Sequence, residues 1–598
     1  GALKLARVAA LAGSDFSADL AADVLAVHAL DLAEPWRELE AAQVIRDNAF
    51  AHDLIFEATL RSVPQQIAQL MNRAIAVFLD ARSAPAARIA EHWADAREWS
   101  RAGKAFAAAA LDARRMSQRT SEVELWQRAC DSYERAGEHD PAFDARRESI
   151  ESLILIHGVA RATEVVAALL SEARSDAQRV AALTAHAHLR LMAADHAAGI
   201  AAAREAHEMA RGFDSPWPQF EAARLLAIGL SQQERAGEAL QLIEPFREVV
   251  EREGTREQRG KFWADYAYAL NSARRLRATA DALTHAIDNA RALGDIGELA
   301  TLTSNLALVN GNLGLLDASL EQALRARALR EQLGETGGPP GAAIDMYIGM
   351  YSGMLGRYRE ALASLDAALD VFIRDQQTVW IAVASNHKAG ILLDLGQSAR
   401  ARKALDYATP TIDSVRARRA VLESRIERFS GRSGEEQIRT AVVALGEQGD
   451  LFVRMLTQLD EARMLPASRA VALCDSVRHT AEQLEYEGVA IKARLWSARH
   501  RLRSGDVQSS AAELHELLPH LETVRPADMY FPEAWWIAFE VLEANQEEAA
   551  ASAALRRGAD WIRDTAAPNV PDEFRDSFLD RNPVNRAILT TASRRLRG

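Results

Sequence analysis

Cysteine is nearly missing from this chain. Cys130 and Cys474 are the only two in 598 residues, and they stand far apart. That excludes a disulfide framework and fits a reducing compartment. Aromatic residues make up 6% of the chain, and there are 17 prolines and 32 glycines. With 48% hydrophobic residues, dominated by alanine and leucine, this scarcity of breakers favours helix throughout. No uninterrupted apolar run reaches transmembrane length, and no basic segment precedes an apolar one at the start. Neither a membrane span nor a signal peptide is therefore expected, and the chain reads as soluble and cytoplasmic. The net charge is -13. A general phosphate-binding surface does not fit such a balance, so direct nucleic-acid contact is not expected.

Chemistry is missing as well. There is no Gly-x-x-x-x-Gly-Lys-Ser/Thr; Arg101-Ala102-Gly103-Lys104 lacks the upstream glycine and lies in a helical pattern. No Gly-x-Ser-x-Gly elbow and no His-Glu-x-x-His pair occurs. His186 and His188 are two apart on a helix and point in different directions, so with His196 and His207 they read as scattered histidines. Cys130 follows Trp126 on an apolar stripe and reads as a core thiol. In His52-Asp53, the aspartate reads as a helix cap. No catalytic residue, metal ligand or cofactor is expected, and the chain does not read as an enzyme.

What the sequence does carry is a period. Ala187, Ala227, Ala267, Ala307, Gly349 and Ala389 recur about every 40 positions. Twelve residues after each stands a second small or short residue: Gly199, Ala239, Thr279, Ser319, Ala361 and Ala401. The pair returns as Ala498/Ser510 and Ala538/Ala550. Such a period means stacked helical hairpins, because one hairpin cannot bury its apolar face alone. In the Gly349 unit, the first helix is expected to offer Gly349 at a close crossing, Gly356 the turn, and the second helix Ala361 and Leu365 in return.

Residues 1–64 stand outside the period. Apolar spacing predicts helices over 3–11, 18–27 and 34–41, a hairpin turning at Asp47-Asn48, and a helix from Asp53 with Leu54, Ile55 and Ala58 on one face. This order predicts a small winged-helix-like joint. Its 17–27 segment holds no arginine or lysine, so it does not read as a recognition helix. Helical hairpins are expected over 65–175, including helices at 141–156 and 160–173, followed by the regular repeats over 176–410. The register weakens over 411–485, where Arg416, Arg418, Arg419, Arg425, Arg428 and Arg432 crowd together. Glu423 and Glu427 are interleaved, so this cluster reads as a solvated, salt-bridged face, and Arg499-His500-Arg501-Leu502-Arg503 reads the same way. Two further repeats are expected over 486–566 and a C-terminal cap over 567–598.

The spacing Gly349, Gly356, Ala361, Ala368, and again Ala389, Gly396, Ala401, Ala408, resembles the tetratricopeptide family. The unit is longer than that family's 34 residues and is similar to repeats in the regulatory halves of large bacterial signalling ATPases, such as the maltose-regulon activator and large LuxR-type regulators. Phe50-Ala51-His52-Asp53-Leu54-Ile55-Phe56-Glu57-Ala58 resembles a segment that follows the ATPase module of those regulators. Ala87 to Trp93 and Glu98 to Ala102 resemble their next two helices, and Phe574 to Arg586 resembles the closing segment of cyclase- or ATPase-linked members. The resemblance implies an all-α, right-handed tetratricopeptide-like solenoid after the winged-helix-like joint, and a nucleotide-binding module ahead of Gly1. That module would be one partner.

Tetratricopeptide-like units would line a concave groove with residues three before, one after, and four or five after each anchor. Here these are Arg224, Gln232, Tyr268, Asn271, Asn312, Met346, Met350, Met354, Asn386 and Asp394. The three methionines also fit core packing between hairpins, whereas the amides of Asn271, Asn312 and Asn386 suit a peptide backbone or polar ligand. The expected function is a non-catalytic sensor that binds a protein, peptide or small-molecule effector in this groove and controls the upstream module. The alternatives are a passive scaffold or the regulatory region of a nucleotide cyclase.

Overall fold

The computed structural model describes residues 1–46, 49–446 and 449–595. Most of them are helical, and the one sheet among them is a two-stranded antiparallel ribbon pairing Ile45 with Phe50 and Arg46 with Ala49. The expected turn residues of this ribbon, Asp47 and Asn48, lie outside the described residues. The chain divides into two compact units, Gly1–Ile243 and Glu244–Gly598. The division falls inside the stretch expected to repeat regularly. There Pro245 cannot supply a helical N–H, and the chain tightens into the 3-10 turn Glu244–Phe246 before Arg247–Glu253 resumes the helix.

In the first unit, helices Ala2–Ala12, Ala18–Leu25, Ala33–Ala41 and Gln65–Ala81 contribute Leu5, Val8, Leu20, Leu39, Ile75 and Phe78 to one core. The helix Asp53–Arg61 differs from expectation on two counts. Asp53 is its first residue, and the cap position belongs to His52, whose side chain makes no capping bond. None of its residues is buried, and Leu54 is 80% exposed. The two helices expected at 141–156 and 160–173 do part in the gap between them, but the first is itself divided again at Ser149. The first segment ends at Glu148, and Ile150–Glu172 runs on with a break at Gly158, whose φ of 77° and ψ of 174° suit only glycine. By length and composition alone, this helix is apolar enough to cross a membrane, although no run of that length is unbroken by charge. Its Ile150, Leu153, Ile154, Ala162, Val166 and Leu169 enter a core cluster with Phe143 and Leu189.

Within each unit, successive hairpins pack through the small residues of the repeat. Ala187, Ala227, Ala267, Ala307, Gly349 and Ala389 are all buried, as are their partners from Gly199 to Ala401. A β-carbon on Gly349 would lie 2.7 Å from Leu365 Cγ and 3.0 Å from the Ala361 carbonyl, which is why glycine stands at this crossing. In the 498/510 hairpin, the Ser510 hydroxyl donates to the Ala498 carbonyl at 2.7 Å. The last hairpin turns by one residue, burying Ala551 and leaving Ala550 half-buried.

The second unit folds back along its own turns. The turns that join the two helices of successive hairpins each meet a later segment. Arg274 donates to the Tyr486 hydroxyl at 3.1 Å, and the Arg525 N–H donates to the Gly314 carbonyl at 3.2 Å. The Ser577 hydroxyl donates to the Leu395 carbonyl at 2.7 Å, and the Asn582 amide to the Asp394 carbonyl at 2.8 Å. A β-carbon on Gly356 would lie 2.9 Å from Trp561, and one on Gly396 would collide with the Ser577 carbonyl. The tail expected to cap the last hairpin therefore also binds the middle of the array. Its helix Pro583–Arg595 packs on Glu548–Asp560, while residues 570–582 reach back to the repeats at 356–400.

Candidate functional site

Where the C-terminal hairpins of the second unit meet its middle ones, the contact is made of charge. The helix Asp413–Phe429 places Arg418 and Arg425 seven apart on one face, with Arg428 a turn beyond Arg425. The helix Leu451–Ala462 brings Asp460. The helix Glu487–Arg503 carries Lys492, Trp496, Arg499 and Arg503 along one stripe. Asp528 stands in the loop before Phe531–Ala544, in the left-handed conformation at φ 46°, which aspartate tolerates better than most residues. Glu533 sits in the first turn of that helix, where the helix dipole favours a carboxylate.

Most of these charges are paired. Asp528 receives Arg418 at 3.2 Å and Arg425 at 3.2 Å, and its backbone carbonyl accepts from Arg425 at 3.0 Å and Lys492 at 3.3 Å. Asp460 and Lys492 are each 1% exposed and lie 3.5 Å apart, with Arg425 at 3.7 Å and Arg463 at 3.9 Å from the same carboxylate. Arg463 reaches Glu533 at 3.0 Å, and Arg499 reaches Glu540 at 3.0 Å. Trp496 is buried beneath the guanidinium of Arg463, 4.2 Å from its ring centre. Two arginines are different. Arg428 and Arg503 line the same space, yet among the described residues neither has a carboxylate within ion-pair distance or an acceptor within hydrogen-bond distance of its side chain.

These groups surround a cavity of about 410 Å³, whose apolar wall is completed by Phe429, Trp536, Val584 and Ala587. A smaller cavity of about 70 Å³ shares Asp394, Arg425, Asp528 and Tyr530 and extends to Met350, Met354 and His387. Burial dominates the acid–base behaviour here. It raises the Asp394 carboxyl to about 7 in spite of Arg425 nearby. It lowers His387 to about 4, helped by Arg418, and His500 to about 4, so both imidazoles are neutral at pH 7. Burial and the neighbouring Arg463 hold Arg428 down at about 10, where it is still a cation. Asp528 lies well below the ordinary carboxylate range: burial alone would raise it, but Arg418, Arg425 and Lys492 overcome that.

The residues expected to line an open groove are divided between the two units and, within the second, between exposed and buried positions. Arg224 and Gln232 belong to the first unit, where Arg224 lies 3.5 Å from Glu221 and Gln232 is exposed. Tyr268 and Asn271 are exposed, and Asn312 is half-buried. Met346 is buried, and Met350 and Met354 pack against the core formed by Ala307, Leu320 and Ile348, as methionines filling a hairpin interface do. The Asn386 amide is already occupied, donating to the Val415 carbonyl at 3.1 Å. Only Met350, Met354, Asn386 and Asp394 meet, around the smaller cavity.

The arginine cluster read as a solvated face is divided as well. Arg416 and Arg432 do face outward, paired with Asp413 and Glu427, but Arg418, Arg425 and Arg428 turn into the interior. Of the 499–503 cluster, Arg499 and Arg503 also line the cavity. Sequence reasoning missed Asp460, Lys492 and Asp528. The i, i+4, i+7, i+11 spacing of Lys492, Trp496, Arg499 and Arg503 was a readable signal of a shared face, whereas nothing local marks Asp528. Among the described residues, no group of three or more His, Cys, Asp or Glu side chains is placed to hold a metal ion. Cys130 and Cys474 are buried free thiols, raised by burial to about 11 and about 12. The arrangement presents charged and apolar side chains to one cavity.

No protein-family model matches the chain, and no curated protein sequence does. Among solved structures, a signal transduction ATPase with numerous domains carrying a tetratricopeptide repeat sensor, from Pyrococcus horikoshii, aligns over 92% of this chain at 12% identity and a TM-score of 0.34. This chain spans 65% of that protein's length. A Rap protein complexed with competence and sporulation factor aligns over 70% of this chain and 99% of its own, at 14% identity and a TM-score of 0.36. The apo quorum sensor NprR from B. thuringiensis aligns over the same shares, at 12% identity and a TM-score of 0.35. At these scores none of the three assigns this chain a function.

Proposed function

We propose that this chain is a non-catalytic sensor region of a signalling protein, and that its ligand is held in the charged cavity of the second unit. The observation that carries this reading is the origin of the cavity walls. One side comes from 378–429 and the other from 460–587, and polar contacts join them. A ligand bridging the two sides has greater affinity for the closed arrangement and so shifts the equilibrium toward it. The nucleotide-binding module implied by the sequence resemblance would receive that shift. Met350, Met354 and Asp394 keep a place in this proposal, as the wall of the adjoining space.

The test is to purify the chain from a native-like host, identify what leaves it on denaturation by mass spectrometry, and record small-angle scattering with and without that molecule. A stoichiometric small molecule whose removal expands the particle is expected. Identical scattering in the loaded and stripped states would refute the sensor reading. A scaffold is the second reading. It is favoured by the first unit, where Ile67, Leu70 and Val77 are 45%, 63% and 50% exposed on one helix.

A further inference from the structure

We infer that the ligand of the 410 Å³ cavity is a small organic anion whose acidic group seats on Arg428, with its apolar part against Trp536, Val584 and Ala587. This inference rests on the sensor reading and names the chemistry of its ligand. The first support is a mismatch of charge. The chain as a whole carries -13, yet the cavity lining holds six cations, Arg425, Arg428, Arg463, Lys492, Arg499 and Arg503, against three carboxylates. Carboxylates behind the lining, Asp460 and Glu540, complete the pairs of Lys492 and Arg499. After those pairs are formed, Arg428 and Arg503 remain.

The second support is position. Arg428 lies within the wall, and Arg503 is exposed at the rim. A half-buried guanidinium that no carboxylate touches is poorly compensated by the more distant Asp460 and Glu533, and an entering anion supplies the missing contact. Arginine also suits planar, bidentate recognition of carboxylate and phosphate groups. The third support is size and lining. About 410 Å³ falls in the range of small-molecule pockets, and such pockets combine apolar walls with a few orienting polar groups. Trp536 is only half-buried and leaves part of its ring to the cavity. Asp394, raised by burial to about 7, repels an entering anion less than an ordinary carboxylate would.

The experiment is calorimetric titration of the full chain at low salt with phenyl phosphate, benzoate and the neutral benzyl alcohol. At least one anion is expected to bind, and benzyl alcohol to bind at least about tenfold more weakly. Arg428→Gln should weaken anion binding by about tenfold or more while the melting temperature stays about the same or rises, because the side chain removed makes no ion pair or hydrogen bond among the described residues. Arg428→Lys should restore part of the binding. Preference for phenyl phosphate would mark a phosphate ligand, and preference for benzoate a carboxylate. The inference is overturned if benzyl alcohol binds as tightly as the anions, if no anion binds, or if Arg428→Gln leaves anion binding unchanged. Scattering on the same samples separates the two ideas. Anion binding without a change of shape would sink the sensor reading alone, and compaction by benzyl alcohol alone would sink the anion alone.

Discussion

Replacing Asp528 with alanine should open the second unit along one seam. The carboxylate pairs with Arg418 and Arg425, each at 3.2 Å. In Asp528→Ala, Arg425 retains the residue's backbone carbonyl at 3.0 Å and Asp460 at 3.7 Å, but Arg418 loses its only side-chain partner among the described residues. Removing one partner of a buried pair costs about 3–5 kcal/mol. Ionisation of Asp394, already poised at about 7 beside Arg425, recovers part of that. Holding alanine at φ 46° adds about 1–2 kcal/mol. The sum is about 4 kcal/mol, and it falls on the segment around 524–530.

Global melting does not isolate this seam, because one segment can open without melting the unit that holds it. Amide hydrogen exchange at Arg525 and Ala527 is local. Their N–H groups donate to the carbonyls of Gly314 at 3.2 Å and Gly488 at 2.9 Å. Exchange at both should accelerate by roughly a hundred- to a thousandfold if this segment opens as a unit. Asp528→Asn keeps the left-handed tolerance and should accelerate it less. Adding Arg418→Met to Asp528→Ala should reduce the cost, since the stranded guanidinium is gone. Acceleration below about tenfold, or strictly additive effects of Arg418→Met and Asp528→Ala, would refute the reasoning that this ion pair holds the seam.

Other outcomes follow from the same geometry. Gly349→Ala should destabilise by about 1–3 kcal/mol, because its β-carbon meets the Ala361 carbonyl at 3.0 Å. Gly260→Ala, also inside a helix but with only an ordinary 3.6 Å contact to Asn289, should stabilise by about 0.5–1 kcal/mol in the same denaturant titration. Gly396→Ala meets both a φ of 73° and a clash with the Ser577 carbonyl, so limited proteolysis should release fragments cut within 567–595, and wild-type resistance there would count against the tie. Asp394 has a folded pKa of about 7 against an ordinary 3.8, so the folded chain keeps a proton that the unfolded chain loses, and its contribution to stability falls as pH rises from about 4 to about 7. His387 and His500, lowered from 6.5 to about 4, oppose this between about pH 4 and 6.5. Asp394→Asn should therefore stabilise at pH 8 by up to about 4 kcal/mol and far less at pH 5, and equal shifts in melting temperature at both would contradict the assignment.

The hairpins were legible because their determinants are local and periodic. A small residue every 40 positions, with a second one twelve later, states where two helices cross, and the buried Ala267, Ala307 and Gly349 meet that requirement. Helix ends were read less well where local signals competed. Ser149 divided a helix expected to run unbroken over 141–156, and His52 rather than Asp53 took the cap position. The groove positions were derived from repeat geometry alone, and that geometry assumes an open inner surface. It could not register that residues 485–582 would return to the turns of the earlier hairpins.

The sequence by itself determined the helices, their pairing into hairpins and the close crossings, since each depends on residues within about one repeat. The tertiary structure alone decided the site. Arg418 and Arg425 look like any helix-surface arginines until Asp528, more than a hundred positions later, is placed against them. Whether a charge faces water or a cavity depends on how far each hairpin rotates on the last. Small rotations accumulate over many repeats, and no single repeat encodes their sum.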